Sequence, residues 1–187
     1  MSRPARPPDG LRKIMAAPMS EGALTIRPGD EADGPTVVAL FDEAVTWLVE
    51  RGHTGQWGAT PFAERPGVRE RVQGFRIGGG LYIAERDKVP VGVLVVGPAP
   101  DYAPPAPVRD LYVMLLLTAR QPAGQGIGGL LINKAIELGY ERGAEILRVD
   151  CWAHAPGLVR WYEKQGFSRS SRFELNGWQG QIFTMQL

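Results

Sequence analysis

The chain has 187 residues, 44% of them hydrophobic and 22% charged, with a formal net charge of +1. This is enough chain to bury a core without staples, and the charge is too balanced to draw the protein to nucleic acid or to an anionic membrane. A single cysteine, Cys151, excludes an internal disulfide and a cysteine-based metal site, and His53 and His154 are too few for a metal cluster, so a reducing, cytoplasmic, metal-free setting is expected.

Residues 1–22, "MSRPARPPDGLRKIMAAPMSEG", combine proline, glycine and charge with no continuous apolar core, and predict a disordered N-terminal tail. No apolar run reaches the roughly 18 residues of a membrane span. A single ordered domain is expected over residues 23–187, opening with a strand at Leu24 to Arg27 in "ALTIRPGD". From Asp33, a candidate N-cap with Pro35 in the first turn, Val37, Leu40, Phe41, Ala44 and Leu48 recur at three and four residues and predict a helix closed by Gly52. "HTGQWGATPFAERPGVRERVQGF" reads as a loop leading into a short helix from Pro66 to Gln73.

"GLYIAERDKVPVGVLVVG" reads as a β-hairpin, Leu81 to Glu85 against Val91 to Val96, and the proline-rich "PAPDYAPPAPVRD" as a surface loop. "LYVMLLLT", 111 to 118, is continuously apolar, as a central strand covered on both faces should be. A helix with Ile127, Leu131, Ala135 and Leu138 on one side follows, ending at Gly143. "AEILRVDCW" is then a strand, "PGLVRWYEKQ" a short helix stopped at Gly166, and "SRFELNGWQGQIFTMQL" two strands around Asn176 and Gly177.

Between the central strand and its helix lies "QPAGQGIGGLLINKA". A strand that delivers a glycine turn into a helix start makes an anion site, because the first N–H groups have no intrahelical partners and point along the positive end of the dipole. Gly124, Gly126 and Gly129 fit the glycine pattern of a dinucleotide turn, with Asp150 at the distance of a ribose-binding acid. Only 37 of the 187 residues follow Asp150, however, too few for the further βα units such a domain needs.

Residues 111 to 167 resemble the two hallmark regions of the GNAT acyl-CoA N-acyltransferases. The family's pyrophosphate motif is Arg or Gln, two residues, Gly, one residue, then Gly or Ala; "AGQGIG" stands at 123 to 128. The second hallmark, a strand and short helix ending in aromatic-Tyr-Glu-Lys-x-Gly-Phe, is matched by "DCWAHAPGLVRWYEKQGF" at 150 to 167. The resemblance implies an α/β fold of the α+β type: a mixed, mostly antiparallel sheet of about six to seven strands with about four helices, its central strands splayed around acyl-CoA. It implies acetyl-CoA as co-substrate, held by Leu117, Thr118, Ala123, Gly124, Gln125, Gly126, Ile127, Gly128, Gly129 and Tyr162. Ala123 stands where relatives carry Arg or Gln, leaving the cradle to backbone amides, with Arg120 and Gln121 as nearby substitutes. Ala155 stands where an asparagine often meets the pantetheine arm.

The implied activity is transfer of an acetyl group to a primary amine of a small molecule or peptide. An N–H near the end of the strand, that of Leu117 to within one residue, would donate to the thioester carbonyl, and Tyr162 would protonate the departing thiolate. An amine with a pKa of about 10.4 is nucleophilic in only roughly one molecule in a few thousand at pH 7, so a base is needed; Asp110, Asp150, Glu85 and His53 are the candidates. Trp47, Trp57 and Phe62 could wall the acceptor or belong to the core, and His154 packs or caps near the short helix. A non-catalytic acyl-CoA sensor is the alternative, made conceivable by Ala123, Ala155 and the absence of an acid within "LYVMLLL". The C-terminal strands and Trp178 offer a surface for a homodimer.

Overall fold

A computed structural model describes residues 23–77, 80–120 and 126–187. Along them run β1 (Leu24–Pro28), α1 (Gly34–Glu50), α2 (Val68–Ile77), β2 (Leu81–Arg86), β3 (Val89–Gly97), β4 (Asp110–Thr118), α3 (Ile127–Glu141), β5 (Ile146–Trp152), α4 (Pro156–Lys164), β6 (Ser168–Leu175) and β7 (Trp178–Gln186), with 3-10 turns at Glu31–Asp33 and Phe62–Glu64. The expectations for residues 1–22 and for Ala123, Gly124 and Gln125 lie outside the described residues.

The strands form one sheet in the order β1-β2-β3-β4-β5-β7-β6. Every pairing is antiparallel except β4 with β5, which α3 joins as a crossover. Both hairpins close through two residues with positive φ, Asp87 and Lys88 in one and Asn176 and Gly177 in the other, the backbone a twist-matched two-residue turn requires. The helices cover the two faces. Val37, Phe41 and Ala44 of α1 pack on Ile83, Val93, Val95, Leu115 and Leu117, while Leu131, Ala135 and Leu138 of α3 and Val159 and Tyr162 of α4 pack on Leu94, Val96, Leu111, Val113, Leu147 and Val149.

The start of α1 differs from the sequence expectation in its side-chain bonding. Asp33 stands at the N-cap of α1 as expected, but its side chain bonds no amide of that helix; its carboxylate binds Arg27 through two contacts of 2.7 Å and takes the Asp30 N–H at 2.8 Å, one half of a capping box on the preceding 3-10 turn. Asp30 is the capping residue, accepting from the Ala32 N–H at 2.8 Å to start the 3-10 turn. A carboxylate three residues further upstream answers the same need, and Asp33 is drawn off because Arg27 offers it a two-pronged partner.

Two irregularities at β4 position the site. Its register against β3 steps from Val95↔Leu115 to Val96↔Val113, leaving Met114 as the extra residue of a bulge, 44% exposed within a strand expected to be covered on both faces. Its pairing with β5 runs from Asp110↔Ile146 to Val113↔Val149 and goes no further. Beyond that point β4 stays bonded to β3 and β5 to β7, so the two central strands part.

Candidate active site

The parting strands open onto a cleft of about 1130 Å³, lined by β4, β5, the start of α3, α4, the α1–α2 segment and the β6–β7 hairpin. Because β4 and β5 cease to pair, backbone groups of β4 that would complete a ladder face this space instead. Their direction follows from the β3 contacts. The Ala119 N–H donates to the Val91 carbonyl at 2.8 Å, and antiparallel pairs alternate between bonded and non-bonded, so Leu117 and Leu115 turn their N–H groups to β3 and Leu116 and Thr118 turn theirs to the gap. Leu116 and Thr118 line the cleft; Leu117, 1% exposed, does not. The candidate donor and cofactor contact thus shift from Leu117 to its neighbours, within the one-residue range expected. The alternation of the ladder places the usable donors one residue to either side.

At one wall, α3 begins at Ile127 after Gly126, whose φ is 70° and which provides no side-chain cap. The Leu130 N–H makes the first turn's bond, to the Gly126 carbonyl at 3.2 Å, so the amides of Ile127, Gly128 and Gly129 are without intrahelical acceptors. All four residues, Gly126 to Gly129, line the cleft. A Cβ at Gly128 would stand 2.9 Å from Trp161, so this glycine also lets α4 approach α3. Amides at a helix start that lack intrahelical acceptors and line a cleft fit a phosphate.

Tyr162, on the α3–α4 side of the sheet, lines the cleft at 5% exposure with its ring against Phe167 and Phe183. Burial pushes its phenol up, with Cys151 and Asp150 adding to the effect and no hydrogen bond contributing. The hydroxyl therefore stays protonated. Cys151, its neighbour on the same face, is itself pushed up to about 12, chiefly by burial, and remains a thiol.

Asp150 projects to the opposite face, the one that carries α1 and α2, as its strand neighbour Trp152 does. Trp152 is roofed by the α1–α2 loop: its N–H donates to Gln56 Oε1 at 2.9 Å, and a Cβ on Gly55 would fall 2.1 Å from the indole. The Trp178 indole N–H holds the same loop through the Gly55 carbonyl at 2.7 Å. Beneath the roof, Asp150 Oδ2 accepts from the Tyr112 hydroxyl at 2.6 Å and the Tyr102 hydroxyl at 3.1 Å. Tyr102 in turn stacks on Phe173 with centroids 4.7 Å apart. Burial raises the Asp150 carboxyl above its ordinary value, and the two tyrosine hydroxyls act against it. Since both use Oδ2, Oδ1 is left for a proton or an ammonium.

The sequence matches the family model described as the Acetyltransferase (GNAT) family over residues 40–167. The chain belongs to the GNAT acetyltransferase family. This GNAT protein shares its fold with an acetyltransferase from Listeria monocytogenes (TM-score 0.66, 19% identity, covering 88% of this chain and 95% of that one). A ribosomal-protein-alanine N-acetyltransferase from Brucella melitensis aligns with a TM-score of 0.65 at 22% identity over 87% of this chain and 99% of the other. A Salmonella typhimurium structure containing its cofactor acetyl-CoA aligns with a TM-score of 0.63 at 17% identity over 88% and 94%. No curated protein matches the sequence.

Membership makes the protein an acyltransferase, and the seven-stranded, mostly antiparallel sheet with four α-helices among the described residues is the fold the motifs implied. Of the candidate bases, only His53 and Asp150 line the cleft of this GNAT domain. Glu85 binds Arg27 at 2.9 Å, and Asp110 binds Arg148 at 3.1 Å. Trp47 and Trp57 are at the cleft, whereas Phe62 is fully buried and stacked on Phe41 at 4.2 Å, a core residue. His154 bonds Gln179 at 2.8 Å and packs on Trp152; Ala155 stands at the N-cap of α4 and lines the cleft. Tyr102, Tyr112 and Trp152 were not singled out from the sequence. The available signal was polarity inside apolar strands, Tyr112 in "LYVMLLLT" and Asp150 in "ILRVDCW". Among the described residues no helix is long and apolar enough to cross a membrane, and no group of three or more His, Cys, Asp or Glu is placed to hold a metal.

Proposed function

We propose that this protein acetylates a primary amine by direct transfer from acetyl-CoA, with Asp150 as base and Tyr162 as acid. The observation that carries the reading is the placement of these two groups on opposite faces of the gap between β4 and β5, with unladdered N–H groups of Leu116 and Thr118 between them. Acetyl-CoA supplies an activated thioester. Gly126, Ile127, Gly128 and Gly129 would bind its phosphates through their amides. The exposed edge of β4 would take the pantetheine arm as an added strand takes its partner.

On the acceptor side, Asp150 Oδ1 takes the proton from the incoming ammonium, its upward-shifted carboxyl being a better match to that task than an exposed aspartate. The Leu116 N–H, and Thr118 beyond it, donate to the thioester oxygen as negative charge builds there. On the other side, Tyr162, fully protonated, donates to the leaving sulfur, whose conjugate acid has a pKa near 8.5 by analogy with cysteine. Roofing by the Gln56–Trp57 segment keeps water from the thioester.

Thiol release from acetyl-CoA across a panel of amines tests this directly. Turnover of at least one amine, lost in Asp150→Asn and reduced in Tyr162→Phe, is the expected result. Acetyl-CoA binding without thiol release for any amine would favour the sensor reading instead.

A further inference from the structure

We propose that the acceptor is an amine that also carries an anionic group, a carboxylate or another oxyanion, seated against Arg71 and Arg120 while its nitrogen meets Asp150. This rests on the acetyl-transfer reading above and specifies its acceptor. Along the described wall of the cleft, Asp150 is the only carboxylate, yet three guanidinium groups, Arg65, Arg71 and Arg120, line the α1–α2 side of the same space. A protonated amine approaching Asp150 alone would be repelled by these three cations; an anionic group on the same molecule turns that field into an attraction.

The acids nearest the arginines are already committed. Glu43 accepts the Arg120 main-chain N–H at 2.7 Å, and Asp42 accepts the N–H groups of Phe62 and Ala63. None of the three arginines forms an ion pair with a described residue. Arg65 spends its guanidinium on the carbonyls of Trp57 and Thr60, which shapes the loop and leaves its charge in place. Arg120 is the clearest case. Its guanidinium lies 4.6 Å from the centroid of Trp47, a ring that Arg51 also approaches at 4.2 Å, and its Nε is buried with no hydrogen-bond partner. Burial is the leading cause that lowers its pKa, with Arg51 adding to it and Glu43 acting against it, so the fold bears there a buried guanidinium that no carboxylate among the described residues pairs directly. The stacking on Trp47 ties this side chain to α1, the helix on the face of the sheet toward which Asp150 projects. Arg71, on the first turn of α2, is exposed and presents its charge without a bonded carboxylate.

The test uses the full chain with acetyl-CoA and matched acceptors: the common amino acids, their carboxamides, aminomethylphosphonate, and spermidine and ethylamine as amines without an anion. The expected result is thiol release with kcat/KM at least about 10-fold higher for one or more anionic acceptors than for the matched amide. Arg71→Gln should raise KM for that acceptor by about 10- to 100-fold, leaving KM for acetyl-CoA and the turnover of the amide unchanged, and Arg120→Gln should raise KM for that acceptor by a similar factor. Equal or better turnover of the amide or of spermidine would overturn the proposal, as would an Arg120→Gln protein that loses affinity for acetyl-CoA and not for the acceptor. Calorimetry of the same acceptors on the CoA-loaded protein separates the two readings. Selective binding of the anionic amine without thiol release would refute the transfer reaction and uphold the recognition, and binding of neither acid nor amide, with turnover of neither, would refute the recognition.

Discussion

Gly126→Ala tests the phosphate cradle, and Gly67→Ala is its matched control. Gly126 has φ +70 and Gly67 φ +72, and an added Cβ at either position meets no atom of the described residues within 4 Å. Each substitution therefore costs left-handed backbone strain alone, roughly 1–2 kcal/mol. In a chain of this length that lowers the unfolding temperature by about 2–8 °C, equally in both variants. Only Gly126 lines the cleft. Its Cβ would project beside the free amides of Ile127 to Gly129, where a phosphate oxygen must come within hydrogen-bonding distance. Acetyl-CoA should accordingly bind Gly126→Ala at least about 10-fold more weakly, equivalent to about 1.4 kcal/mol, and bind Gly67→Ala as it binds the parent. Thermal unfolding and calorimetric titration with acetyl-CoA read the two effects separately. Equal stability losses with equal acetyl-CoA affinities would mean that the glycine turn serves helix packing alone, and the assignment of the α3 start to phosphate would fall.

Tyr162→Phe should lower turnover by a factor on the order of ten to a thousand while acetyl-CoA affinity stays nearly unchanged, since only a hydroxyl is removed; undiminished turnover removes it from the acid role. Asp150→Asn should lower kcat/KM by a factor on the order of 10²–10⁴ and abolish the acid limb of its pH profile. Because burial raises the Asp150 pKa, its contribution to stability is full below the unfolded carboxylate pKa and is lost as pH rises through the folded one. The asparagine variant should therefore keep or gain unfolding temperature relative to the parent at pH 8, and a marked loss there would contradict the burial argument. Leu131→Ala, at a position with 0% exposure between α3 and the sheet, should cost about 2–5 kcal/mol in denaturant unfolding.

Strand and helix order was legible because each element carries a strong local pattern. The apolar stripe of α1, the apolar run of β4 and the turn residues Asn176 and Gly177 each determine their neighbourhood without help from distant chain. The proposal of Tyr162 as the acid rests on the residues around it in the sequence, not on its own identity. The N-cap position of Asp33 was legible, but not the partner of its side chain, because Arg27 lies on the adjoining strand and depends on a tertiary approach. The oxyanion donor could be placed only to within one residue of Leu117, because the direction of a backbone N–H depends on which pairs of β3 and β4 are bonded, a matter of register that no residue in "LYVMLLLT" encodes alone. Tyr102 reaches Asp150 from a proline-rich loop 48 residues away, and nothing local announces that contact.

The bulge at Met114 connects these points. In an unbroken strand Tyr112 would share a face with Leu116 and Thr118, while Leu115 and Leu117 would join Leu111 and Val113 against α3. The extra residue resets the alternation, so Leu115 and Leu117 pack under α1 and Tyr112 stands on that same face, where its hydroxyl reaches Asp150. Core and site are thus both served by one inserted position. Tyr112→Phe should test this arrangement with little loss of packing, because the ring remains buried. A hydrogen bond to the ionised carboxylate favours ionisation, so its removal should raise the Asp150 pKa further and move the acid limb of kcat/KM to higher pH. Tyr102→Phe should shift the limb less, its bond being 3.1 Å against 2.6 Å for Tyr112. If neither variant moved the limb while Asp150→Asn still abolished activity, Asp150 would be holding the acceptor rather than taking its proton.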